Sequence, residues 1–200
     1  MKKITLLLIT IFTLSLGNAQ LLNENANWPN SNWSLTGTYT ATGLLSNPTT
    51  TGSTFTFDDD AAGSSSDDTI QATSPVIDLT SASSAGENWI IISGDYVYRP
   101  LGNDVLSIEA YDADAATWYT LWTFTGNSAG SDYETCSNTE SYTTGVLDIT
   151  GFTATQLSGF RYRINYDDQN GWQWGWCLTS PTITSLDPST TCLDPINLDV

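Results

Sequence analysis

Residues 57–68, FDDDAAGSSSDD, put five carboxylates into one short stretch. Calcium takes six to eight hard oxygen ligands, and such a stretch supplies them from side chains and backbone carbonyls. Asp58, Asp60 and Gly63 match the first, third and sixth places of an EF-hand loop. Ala62 and Thr69 stand where its fifth and twelfth ligands belong, so the stretch is not an EF-hand. Acids this close repel one another, which is a reason to expect a counter-ion. Asp58, Asp59, Asp60 and Asp68 are the candidate ligands. Asp167-Asp168 and the YDADAAT turn at 111–117 are weaker candidates, because Asp is an ordinary turn residue.

A second cluster lies at residues 170–178, NGWQWGWCL, with Trp172, Trp174 and Trp176 two apart. On a strand this period puts all three on one face. Asn170-Gly171 is a turn signal, so Trp172 belongs near a rim and Trp176 deeper in a strand. Gly175 would admit a neighbouring ring or backbone. Indoles at such spacing either fill a core or stack on sugar faces. Trp28, Trp33, Trp89, Trp118 and Trp122 show tryptophan used throughout, which favours core packing for most of the rings. Trp172, Trp174 and Tyr98 are the candidates for ligand contact.

Other chemistry is limited by what the chain lacks. It has no histidine, which removes Ser-His-Asp and Cys-His catalysis and histidine metal sites. Carboxylate chemistry of the glycosidase kind remains, through Glu87, Glu109, Glu134 and Glu140, but no local pattern pairs any two of them. No CxxC occurs, which argues against zinc. Cys136, Cys177 and Cys192 leave the disulfide pairing open; Cys136 with Cys177 is favoured because Cys192 lies beyond the expected domain end.

The chain opens MKKITLLLITIFTLSLGNAQ, with two lysines, an apolar run and small residues before Gln20, so residues 1–19 read as a secretory signal peptide. Its removal leaves Arg99, Arg161 and Arg163 against 22 acidic residues, a formal charge of −19. That charge argues against nucleic acid, and the apolar run is too short to span a bilayer. The expected protein is secreted or displayed at the cell surface.

The elements that must hold these residues read as strands. The composition is rich in Thr, Ser, Gly, Asp and aromatic residues, and no stretch shows a helical period. Strands are expected at 33–43, 53–58, 75–79, 89–99, 104–112, 117–124, 142–149, 160–168 and 174–184, joined by polar turns. Nine or so antiparallel strands point to a β-sandwich of jelly-roll type over residues 20–185, with an Ig-like sandwich as the alternative. Residues 186–200, with two prolines and a Ser/Thr cluster, read as a linker.

Several segments carry a family resemblance: FDDDAAGS, SPVIDLTSA, WIIISGDYVY, VLDITGF and FRYRINYDDQNGWQWGWCLTSPTIT, in that order. Together they resemble the MAM-like jelly-roll modules of secreted Bacteroidetes proteins, close to the choice-of-anchor and cleaved-adhesin types. Cys192-Leu193-Asp194-Pro195 resembles the opening of a fibronectin type III domain, which implies a chain continuing past Val200. The resemblance implies a concanavalin-like or galactose-binding-like sandwich, non-catalytic, often with a structural calcium near the acidic loop. The chain departs from the pattern at Cys177-Leu178-Thr179-Ser180, where the family carries an acid. The function expected is adhesion or binding, with a glycan or an extracellular protein as partner. A purely structural spacer and a carboxylate glycosidase are the alternatives.

Overall fold

Along residues 162–167 Tyr162, Ile164 and Tyr166 are buried, while Arg163, Asn165 and Asp167 are only partly so. This is the two-residue period of a strand with one face on a core. The computed structural model describes residues 20–64, 67–191 and 195–196. Residues 1–19, expected to be a signal peptide, and Cys192 lie outside the described residues.

The strands are β1 (Asn23–Asn25), β2 (Ser34–Thr38), β3 (Leu44–Asn47), β4 (Thr51–Asp58), β5 (Thr69–Thr73), β6 (Trp89–Arg99) and β7 (Val105–Asp112). They continue as β8 (Thr117–Thr123), β9 (Glu140–Thr143), β10 (Val146–Asp148), β11 (Tyr162–Asp167), β12 (Gly175–Thr179), β13 (Thr182–Leu186) and β14 (Pro195–Ile196). Four short helices sit between them: α1 (Asp59–Ala62), α2 (Thr80–Ser84), α3 (Asp132–Thr135) and α4 (Ala154–Ser158).

The strands form two sheets, an antiparallel β-sandwich of jelly-roll type. One runs β2-β5-β11-β7-β8. The nine-stranded sheet has the order β1-β13-β6-β12-β4-β3, with β9 and β10 also paired to β6. The long β6 carries β12 and β13 on one edge and β9 and β10 on the other. β14 lies parallel to β10, the one departure from antiparallel pairing among the described strands.

Between the sheets lies an aromatic core. Trp176 meets Phe55 edge-on at 4.6 Å, and Trp28 meets Trp33 at 5.2 Å. Phe57, Tyr162, Tyr166, Ile108, Ile164 and Leu178 fill the space around them. Rings this large supply most of the apolar area that holds two sheets together.

Four expected elements come out differently, the first being that at 33–43, which ends at Thr38 and gives way to a 3-10 turn at Ala41–Gly43. Residues 75–79 form no strand; Ile77 makes a single bridge to Phe160, and the chain turns into α2. The strand expected at 142–149 breaks into β9 and β10, and that at 174–184 breaks at Ser180-Pro181 into β12 and β13. Proline lacks the N–H that a continuous ladder would use. The helices run four or five residues each, too short to show a period in sequence.

Candidate functional site

The acidic cluster is assembled at the ends of three elements. Asp59 opens α1 directly after β4, Asp68 immediately precedes β5, and Asp168 immediately follows β11. Because β4 belongs to one sheet and β5 and β11 to the other, their ends meet at one rim of the sandwich. There one carboxylate oxygen from each of Asp59, Asp68 and Asp168 lies within 4.8 Å of the others. All three residues are essentially without solvent contact.

Some of their oxygens are used by the backbone. Asp168 accepts the amides of Asp68 and Asn170, each at 2.9 Å. Asp59 Oδ2 accepts the amide of Gln173 at 2.7 Å, and Asp68 Oδ1 accepts that of Thr40. Asp59 Oδ1 and Asp68 Oδ2 are buried with no hydrogen-bond partner. The one ion pair among the described residues, Arg163 with Glu109, is on another part of the fold. Two like charges about 5 Å apart at an effective dielectric of about 20 repel by roughly 3 kcal/mol. Burial, with the charges of Asp168 and Asp68 behind it, pushes the Asp59 carboxyl up to about 6 against the lowering effects of the Gln173 amide and the nearby Tyr166 hydroxyl. Burial, reinforced by the Asp68 and Asp67 charges, also raises Asp168. A cation bound through oxygens at 2.3–2.6 Å fits a set of this span and remedies both the repulsion and the unpartnered oxygens.

Of the four candidate ligands, the fold brings Asp59 and Asp68 together and leaves Asp58 and Asp60 outside the cluster. Asp58 caps α1, accepting the Ala61 amide at 3.0 Å, and Asp60 is exposed. Asp168 takes the third place. Its YDDQNG context marked it as an acidic turn, but only the pairing of β11 with β5, with Tyr166 opposite Ile70, puts it beside Asp68.

The three tryptophans take three different positions. Trp172 lies on the loop before β12 and is 52% exposed. Trp174 is half-buried, and the Arg99 guanidinium covers its ring at 3.6 Å. Trp176 is wholly buried. The loop bearing Trp172 is fastened to the acidic cluster at both ends. Asp59 and Asp60 donate their amides to the Trp174 carbonyl, and the Gln173 side chain donates to the Asp168 carbonyl at 3.2 Å. Tyr98 requires a correction: it is buried, and its hydroxyl donates to Asp104 Oδ2 at 2.8 Å, so it shares no open groove with Trp172. Burial likewise raises Asp104 above the usual carboxylate range.

The glutamates do not converge. Glu87 is buried and accepts from the Leu21 amide and the Ser185 hydroxyl. Glu109 is held by Arg163 on the five-stranded sheet, and Glu134 and Glu140 stand on α3 and β9. No helix among the described residues is long and apolar enough to cross a membrane. Cys136 and Cys177 form a disulfide that ties α3 to β12.

No protein-family model matches the chain, and none of the curated proteins does. Among solved structures, the K3 cleaved adhesin domain of Lys-gingipain from Porphyromonas gingivalis is similar at 12% identity, covering 84% of this chain and 100% of that one, with a TM-score of 0.48. A family 29 carbohydrate-binding module is 11% identical over 87% of this chain and 99% of its own, with a TM-score of 0.45. The enzymatically active domain of tailspike protein 4 from bacteriophage CBA120 is 12% identical over 79% of this chain, which spans only 20% of that one, with a TM-score of 0.44. These likenesses are too distant to carry a ligand, a metal or an activity across.

Proposed function

We propose that this is a secreted, non-catalytic binding module for a glycan or protein partner, with its rim braced by a calcium ion at Asp59, Asp68 and Asp168. The observation that carries the reading is the convergence of three buried carboxylates, two of which, Asp59 and Asp68, also hold a buried oxygen without a hydrogen-bond partner. The ion would neutralise charge that water cannot reach. Asp59 and Asp168 also anchor the loop that exposes Trp172. The same ion would therefore set the position of the most accessible indole. Removal of residues 1–19 belongs to this reading, supported by their composition, and so does a following fibronectin type III-like domain, supported by the resemblance at Cys192-Leu193-Asp194-Pro195.

The test is a calcium titration of chelator-stripped protein by calorimetry and thermal melting. At a hundred times the dissociation constant the ion adds about 2.7 kcal/mol, which for a domain of this size raises the melting temperature by several degrees. Asp168→Asn abolishes the rise, whereas Asp60→Asn, outside the cluster, keeps it. No heat and no shift with any divalent cation would remove the ion from the reading. In parallel, a glycan and protein array probed with wild type and Trp172→Ala tests recognition; no ligand for either leaves a spacer as the function.

A further inference from the structure

We infer a second binding surface, on the outward face of the five-stranded sheet, for a glycan that carries isolated acidic groups. The described residues hold three cations, and two of them, Arg161 and Arg163, lie on this face. Arg163 stands opposite Glu109, and the Arg161 carbonyl takes the Tyr111 amide at 2.9 Å. The Arg161 guanidinium sits 4.2 Å from the centroid of the Tyr111 ring, and that of Arg163 sits 4.4 Å from the Trp118 ring. The two rings are themselves 5.1 Å apart. The result is a row in the order cation, ring, ring, cation.

A guanidinium over a ring face keeps the N–H donors of its edge for a carboxylate or sulfate. Arg163 uses only Nε, on Glu109 at 2.6 Å. Arg161 is the more telling residue. Its guanidinium has no hydrogen-bond or ion-pair partner among the described residues, and its Nε is buried. In a chain with 22 carboxylates, a partly desolvated guanidinium with no anion is a deficit that an incoming oxyanion would make good.

The rest of the face favours a sugar over an acidic peptide. Beside the row run Thr36, Gln71 and Asn165, linked as Thr36 to Gln71 at 3.4 Å and Gln71 to Asn165 at 3.1 Å. These short amides and hydroxyls are matched to sugar hydroxyls. The formal charge of −19 left by removal of residues 1–19 sets the ligand's charge density. A dense polyanion is repelled by the molecule as a whole, whereas one acidic group among neutral sugars meets the arginines alone.

This surface depends on neither the ion nor Trp172, so the two readings fail separately. The experiment is an array of matched oligosaccharides: a glucuronate-bearing xylan fragment, the same fragment with its carboxyl reduced, a monosulfated galactan fragment, and a glutamate-rich pentapeptide. Calorimetry follows on any that bind. The acidic sugars bind, and carboxyl reduction weakens the xylan fragment at least tenfold. Arg161→Gln, checked for an unchanged melting temperature, loses at least tenfold. Arg161→Lys, which keeps the charge without the planar fork, recovers only part. Trp172→Ala and chelator leave affinity within twofold. The inference is overturned if the reduced fragment binds as well, if Arg161→Gln binds like wild type, if the pentapeptide binds as tightly, or if folded protein binds none of the four.

Discussion

Burial holds the Asp59 carboxyl at about 6 in the fold, while the ordinary value is 3.8. Between those two values the folded chain keeps a proton that the unfolded chain has released. The contribution of this carboxyl to the stability of the ion-free protein is therefore fully present below about pH 4, is lost as pH rises through 6, and levels off above. Calcium requires the ionised carboxylate, so its binding strengthens over the same interval. Melting curves of chelator-stripped protein should fall from pH 5 to pH 7, with a shallower fall in Asp59→Asn and little or none in saturating calcium. An ion-free melting temperature that climbs over this range would contradict the assignment. The tryptophans make the same point about environment: three identical side chains two positions apart are exposed, capped by arginine and buried, because the strand begins only at Gly175.

At the scale of elements, β12 is the most constrained strand. A Cβ on Gly175 would lie 2.5 Å from the Phe57 carbonyl and 2.7 Å from the Tyr133 ring. Backbone on one side and a buried ring on the other leave no room to yield. Gly175→Ala should cost about 1–3 kcal/mol by overpacking, read as a lower urea midpoint at unchanged slope; an unchanged midpoint would show that α3 gives way. The close approach at Gly175 was legible in the sequence, as was the outline of β6, because WIIISGDYVYR is strongly β-forming from end to end. Residues 75–79 looked equally apolar, but their backbone finds only one bridge partner. The candidate metal site was half legible. Asp59 and Asp68 stood out by local density, whereas Asp168 is 100 residues from Asp68 and only strand pairing reveals it. Tyr98 misled because Tyr96, Val97 and Tyr98 are all buried: both faces are covered at that end of β6, which nothing local in the sequence shows.

Across the whole molecule a covalent cross-link opposes the self-repulsion of an acidic chain. The Cys136–Cys177 disulfide closes a loop with a sequence separation of 41. A loop of that length restricts the unfolded chain by about 4 kcal/mol in the chain-entropy account. Reduction should therefore lower stability by roughly 2–4 kcal/mol, seen as an earlier denaturant midpoint in dithiothreitol, with β-sheet circular dichroism retained below it. Retention of the full midpoint after reduction would show that packing of α3 against β12 suffices alone.

Two of the three aspartates share the 57–68 stretch, but Asp168 lies 100 residues from Asp68, and none can grip an ion unaided. The 57–68 stretch alone lacks Asp168, so the proposed ion would find only part of its site on a nascent or half-assembled polypeptide. It would recognise completion. Such a latch would play no part in starting assembly and would act only to stop it reversing, so calcium uptake would report the fraction of molecules that have closed correctly.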